Sequence, residues 1–210
     1  MSLNLSEPST ARLLLRQWRE EDRAPFAELN ADPLVMAHFP ATLTQDESDA
    51  LMDRCSRHLD RDGYGLWAVQ IRANSAFVGF VGLSAPAWDA AFTPCTEIGW
   101  RLARSAWGHG FATEAAKSVL AAAFGELELD EVVSFATTHN LPSQQVMQRL
   151  GMTHDPSQDF DHPRVIAGPQ RRHVLYRLRR AEWELSQPMT VSDTVPSFAT
   201  GNPAPSLALP

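Results

Sequence analysis

A chain of 210 residues with 44% hydrophobic and 20% charged side chains holds enough apolar material for one packed domain and too little charge for a disordered one. Its formal net charge of −7, from 18 Lys and Arg against 25 Asp and Glu, argues against a nucleic-acid partner and favours a cationic or amine-bearing one. Two cysteines, Cys55 and Cys95, are too few for a disulfide framework or a structural zinc site, and no metal is expected. No apolar run reaches the roughly 18 residues of a membrane span, and the start Met1-Ser2-Leu3-Asn4 lacks the regions of a secretion signal. The expected setting is the cytoplasm, without a membrane partner, as a monomer or homodimer.

Ala11 to Trp18 reads as a strand, and Glu20 to Leu29 as a short amphipathic helix with acids in its first turn. Thr44-Gln45-Asp46-Glu47 is a capping pattern that opens a helix running to about Arg61, followed by a turn at Asp62-Gly63-Tyr64-Gly65. Leu66 to Arg72 and Phe77 to Ser84 form a hairpin about Ala73-Asn74-Ser75, and Thr96 to Ala103 is a third strand. Phe111, Ala115, Val119, Ala123 and Leu127 recur at four-residue steps and mark the buried face of a long helix. Val132 to Thr137 is a strand, Ser143 to Leu150 a helix stopped by Gly151, and His173 to Leu178 a last strand. This order specifies a mixed α/β domain over residues 8–185 with helices on the sheet faces. Residues 186–210 hold five prolines, seven Ser or Thr and a single charge, Asp193, and are expected to form a disordered tail.

Trp107-Gly108-His109-Gly110-Phe111-Ala112-Thr113-Glu114-Ala115 lies between a strand and the first turn of a helix. Its glycines let the backbone approach a ligand, and the free amides of a helix start suit a pyrophosphate. Taken alone, the glycines fit an ordinary strand-to-helix turn better than an anion site. A P-loop requires Gly-Lys-Ser/Thr, but Lys117 lies seven residues past Gly110; a dinucleotide fingerprint requires a third glycine where Thr113 stands.

Thr96-Glu97-Ile98-Gly99-Trp100-Arg101-Leu102, the glycine turn, Asn140-x-x-Ser143 and Arg149-Leu150-Gly151-Met152 together resemble the GNAT superfamily of N-acetyltransferases. Within it, the pattern is similar to the RimJ/RimL-type group that acetylates ribosomal-protein N-termini. The resemblance covers about residues 10–180. One departure is Trp107, which stands where the superfamily pattern has Gln or Arg and removes one basic contact to phosphate.

The resemblance implies a mainly antiparallel twisted sheet with a splayed central strand pair. It implies direct transfer of acetyl from acetyl-CoA to a primary amine, either a protein N-terminus or a small molecule, in a ternary complex. No nucleophile with a partnered base is recognised that would contradict this, since Cys55 lies in a helix and Cys95 just before a strand. By the same resemblance, the amides of Gly108, His109, Gly110, Phe111, Ala112 and Thr113 hold the pyrophosphate. Backbone groups of Leu102 and Ala103 meet the pantetheine arm, with the Leu102 N–H as oxyanion donor. Glu97 is the expected base, on the face it shares with Gly99 and Arg101; a Glu facing water or paired with an Arg, an aspartate in Phe160-Asp161-His162-Pro163, or a water chain are the alternatives. The superfamily's frequent tyrosine acid has no counterpart on the Ser143 helix, because the only tyrosines are Tyr64 and Tyr176. Ser143 is the matching donor to the thiolate, with plain N-capping as its alternative, and Asn140 either binds pantetheine or serves a turn. Trp88, Trp100 and Phe39 are candidates to line the acceptor cleft, with core packing favoured for Trp100. A non-catalytic acyl-CoA-binding module is the alternative to an enzyme.

Overall fold

A computed structural model of the chain describes residues 7–187. Strand β1 (Leu13–Arg16) buries Leu13 and Leu15 completely and leads through a 3-10 turn into helix α1 (Arg23–Ala31). That turn is fastened by Asp22, whose carboxylate accepts two hydrogen bonds from the buried Arg16 guanidinium at 2.7 and 2.8 Å. Helix α2 (Gln45–Asp62) begins at the Thr-x-x-Glu pattern: the Glu47 amide donates to the Thr44 hydroxyl, and the Glu47 carboxylate accepts from the Thr44 amide at 2.8 Å. Gly63, with φ of 74°, closes the helix in the left-handed conformation that a Cβ disfavours.

Strands β2 (Leu66–Ile71), β3 (Phe77–Ser84) and β4 (Glu97–Leu102) form an antiparallel meander beside β1. Helix α3 (Phe111–Gly125) crosses back to β5 (Glu131–Thr137), and α4 (Leu141–Arg149), β6 (Thr153–His154), β7 (Phe160–Asp161), β8 (Arg172–Arg179) and α5 (Arg180–Ser186) complete the fold. The sheet order is β1-β2-β3-β4-β5-β8-β6, with β7 also paired to β8. Every pair is antiparallel except β4 and β5. The parallel exception follows from α3, because a crossover of that length returns the chain in the same direction. Helix α3 buries Ala115, Ala116, Val119, Leu120 and Ala123 against the sheet, as its four-residue spacing requires.

The parallel pair positions the site. β4 and β5 share one register position, Glu97 opposite Val133. The Val133 amide donates to the Thr96 carbonyl and the Ser134 hydroxyl to the Ile98 carbonyl, each at 2.9 Å. From Gly99 onward β4 has no ladder on the β5 side, so the strands part.

The expected elements are present, with three differences. Helix α4 starts at Leu141, two residues before the expected Ser143, because Asn140 caps it. The two-residue strands β6 and β7 are too short to show a period, and the seven-residue α5 too short to show an apolar stripe. The tail expected over 186–210 lies outside the described residues from 188 onward. Among the described residues no helix is long and apolar enough to cross a membrane.

Candidate active site

The glycine turn sits between the end of β4 and α3. Gly110 caps the helix with φ of 77°, and Gly108 has φ of 75°. Two left-handed residues two apart turn the backbone so that Phe111, Ala112 and Thr113 open the helix with no acceptor for their amides; the first intrahelical bond runs from the Glu114 amide to the Gly110 carbonyl at 3.0 Å. These amides and the helix dipole suit an anion. His109 is exposed; its ring stacks on Phe111 at 5.4 Å and its Nδ1 lies 2.7 Å from the Trp107 carbonyl, which makes Nδ1 the protonated nitrogen. Arg12, just before β1, lies over the Phe111 ring at 4.7 Å and pairs with Glu114.

At the end of β4 the Ala103 amide donates to the Val78 carbonyl at 2.9 Å. Amides alternate sides along an antiparallel strand, so the Leu102 N–H faces the opening beside β5, where it has no strand partner. The Leu102 carbonyl accepts the Trp107 indole N–H at 2.8 Å. Trp107 thus ties the glycine turn to the strand end. Ala103 has both backbone groups engaged, its carbonyl accepting from the Ala106 amide at 2.9 Å, so of the two residues expected to meet pantetheine through the backbone only Leu102 offers a free N–H. Across the opening, Asn140 caps α4: its Oδ1 accepts from the Ser143 amide at 3.2 Å. Ser143 is therefore the third residue of the helix, not its cap, and its hydroxyl has no hydrogen-bond partner among the described residues.

Glu97 lies at the mouth of the parting strands. Its carboxyl accepts a long hydrogen bond from Ser84 at 3.4 Å and has no basic partner among the described residues. Burial pushes its pKa up to about 8, with the Ser84 contact opposing only weakly. The Glu–Arg pairing weighed from the sequence does not form. On the same face, a Cβ placed on Gly99 would meet only a Glu97 carboxyl oxygen, at 3.8 Å, so Glu97 leans over an open strip of backbone. Two strand positions further, Arg101 donates from Nη1 to Asn30 Oδ1 at 2.6 Å, with Phe39 stacked 4.2 Å from the guanidinium carbon. Thr137, at the end of β5, contacts His38 Nδ1 at 3.4 Å, and burial lowers the His38 pKa.

Next to this face, Trp88 of the β3–β4 connection packs on Phe135 of β5 at 5.7 Å, on Phe160 at 5.8 Å and on His162 at 4.9 Å. Arg164 donates to the Ala87 carbonyl at 2.9 Å, which ties the connections before β4 and before β8 together. The Phe160–Pro163 segment therefore joins Trp88 in one aromatic wall, while Trp100 packs against the core. Asp161 is occupied by Arg171 and Arg172. Arg101, His38 and Thr137 were not among the expected site residues. Strand period hinted at the first, but the meeting of His38 and Thr137 spans 99 positions and leaves no local signal. Burial raises both cysteine pKa values to about 11, which makes neither thiol a ready nucleophile. Among the described residues no group of three or more His, Cys, Asp or Glu is arranged to hold a metal ion.

A mainly antiparallel sheet that opens at one parallel pair, flanked by a glycine turn at a helix start, defines the acetyltransferase fold. Residues 12–153 match the family model of the acetyltransferase (GNAT) domain. The FsC-acetyl coenzyme A-N(2)-transacetylase of Aspergillus fumigatus is 33% identical over 205 residues, 92% of this chain and 86% of the relative. Among solved structures, a GNAT-family acetyltransferase from Bacillus anthracis superposes with a TM-score of 0.69 at 21% identity, over 82% of this chain and 98% of that one. RimL, a ribosomal-protein alpha-N acetyltransferase in complex with coenzyme A, gives 0.66 at 16% identity, over 82% and 97%. These two are likenesses of fold, and RimL places the RimJ/RimL type among the neighbours. The chain belongs to the GNAT acetyltransferase family and is an acetyl-CoA-dependent acyltransferase.

Proposed function

We propose that this chain is a cytoplasmic enzyme that moves acetyl directly from acetyl-CoA to the primary amine of a small molecule, with both substrates bound together. The observation that carries this reading is Glu97: a carboxyl with a pKa near 8, free of any cation, over open backbone where the strands part. The small-molecule acceptor, in preference to a protein N-terminus, is supported by the 33% identical relative, whose name gives it an N(2) acetyl acceptor.

The chain's donors fit acetyl-CoA. The amides of Gly108, His109, Gly110, Phe111, Ala112 and Thr113 hold the pyrophosphate, which compensates for the missing basic side chain at Trp107. The Leu102 N–H polarises the thioester carbonyl, and Asn140 Nδ2, free once Oδ1 has capped α4, donates to the pantetheine arm. Glu97, directly or through a water, removes the proton of the acceptor ammonium. The nitrogen lone pair then attacks the thioester carbon to give a tetrahedral intermediate whose oxyanion the Leu102 N–H holds. On collapse the C–S bond breaks, the second ammonium proton leaves the nitrogen and passes through water to the departing thiolate, and the Ser143 hydroxyl donates a hydrogen bond to that sulfur.

The test is release of CoA from acetyl-CoA over a panel of amines, with acetylated product identified by mass. A rate no higher than hydrolysis for every small amine, with turnover of peptide N-termini instead, would move the acceptor assignment to proteins.

A further inference from the structure

Arg101 is unusual among the half-buried side chains. Its Nε is the one buried side-chain nitrogen or oxygen without a hydrogen-bond partner among the described residues. The single hydrogen bond of its guanidinium goes to Asn30, a neutral group that itself donates to Ser48 at 2.9 Å. The fully buried arginine, Arg16, is matched by Asp22; Arg101, half-buried with its Nε shut off from solvent, forms no ion pair among the described residues. Its guanidinium carbon lies 4.2 Å from the Phe39 ring and 5.4 Å from the Phe80 ring, and burial lowers its pKa to about 10. A largely desolvated cation without a counter-charge is unfavourable, so its presence at this position calls for an anionic group that arrives from outside the chain.

The place of Arg101 narrows what that group is. Period 2 along β4 sets Glu97, Gly99 and Arg101 on one face, and the glycine between acid and cation leaves the floor open. Four strand steps separate the two Cα atoms by about 13 Å, and the Glu97 carboxyl shortens that span by leaning toward Gly99. An acid next to a cation complements a zwitterion, the ammonium toward Glu97 and the anion toward Arg101. Phe39, stacked on the guanidinium and exposed at 37%, leaves that end of the strip within reach of solvent.

We propose that Arg101 anchors a carboxylate of the acceptor, so that the preferred substrate is an amine with a carboxylate a few bonds away, as in a free amino acid. This narrows the amine-acceptor reading above and rests on it. It also narrows the first expectation from net charge, since the amine-bearing acceptor carries a negative group as well as its ammonium.

The experiment measures kcat/KM for matched pairs: leucine and isopentylamine, phenylalanine and phenethylamine, ornithine and 1,4-diaminobutane. The native enzyme favours the carboxylate member by about 10- to 100-fold, as a charged hydrogen bond allows, and Arg101→Met brings that ratio toward one. CoA affinity and melting temperature of Arg101→Met serve as fold controls. Equal or better use of the decarboxylated amines by the native enzyme overturns the proposal while leaving the acetyltransferase reading intact. So does an equal loss on both members of each pair in Arg101→Met, which is the signature of a mere strut under the Phe39 loop. If no amine in the panel is acetylated, the amine-acceptor reading falls. Calorimetric binding of the three N-acetylated amino acids to the CoA-loaded protein then decides the anchor: affinity equal in native and Arg101→Met protein overturns it, and affinity lost in the variant upholds it.

Discussion

Glu97 differs from the other acids among the described residues in having neither a cation nor water enough to hold its charge. Its raised pKa makes a specific kinetic expectation: kcat/KM rises with pH and levels off above about 8, and Glu97→Gln lowers kcat by about 100- to 10,000-fold while CoA affinity stays within twofold. The same shift has a stability consequence of definite sign. Between the ordinary value of 4.5 and about 8 the folded state holds a proton that the unfolded chain has released, so stability falls as pH rises through that window. Glu97→Gln removes this penalty. Its melting temperature should exceed that of the native protein at pH 8.5 and match it below pH 4.5, and a difference that does not change with pH would contradict the assignment. Arg16 and Asp22 show the opposite arrangement, a buried pair with two short hydrogen bonds and side chains 3% and 1% exposed. Asp22→Ala strands the Arg16 charge in the core and should cost about 3–5 kcal/mol in chemical denaturation.

At the scale of elements, the cofactor half of the site is a set of helix and strand ends whose unpaired backbone groups face one opening. Trp107 matters here for its indole N–H, which holds the glycine turn against the Leu102 carbonyl. Trp107→Phe keeps an aromatic ring and loses that bond. The expected result is a loss of about 1 kcal/mol in stability and a severalfold higher Kd for CoA by calorimetry, because the amides of the turn are less firmly placed. Asn140 acts at the other side of the opening, where its cap sets the start of α4 and with it the place of Ser143. From the sequence Ser143 was the capping candidate and Asn140 a turn residue or pantetheine donor, and backbone geometry moved the cap to Asn140: it has φ of −81° and ψ of 66°, outside the helix, and Ser143 is the third residue inside it.

For the whole molecule, the strand order explains why the site exists. Antiparallel meanders on one side and the β5–β8 pair on the other meet at the single parallel junction, and the sheet yields there because only one register position joins the strands. The described core closes on α5, where Trp183 packs 5.9 Å from Phe124 of α3. We therefore expect a chain ended at Gln187 to keep the native melting temperature and CoA affinity, which thermal denaturation and calorimetry would check. Most of the architecture was readable in advance, since apolar period and capping residues act within a few positions of one another. Thr44 with Glu47, Gly63, and the four-residue steps of α3 each specify their own neighbourhood.

By itself the amino-acid sequence determined the order of the elements, the family and the glycine turn, because each rests on residues close together in the chain. Tertiary structure alone decided the acceptor half of the site. Glu97 becomes a weak acid only when packing removes its water, and Arg101 becomes an uncompensated cation only when α1 and the Phe39 loop fold over β4. Trp88, Phe135, Phe160 and His162 become one wall only when β5 and β8 pair. Desolvation and long-range contact are properties of the packed molecule, and no local spacing encodes them.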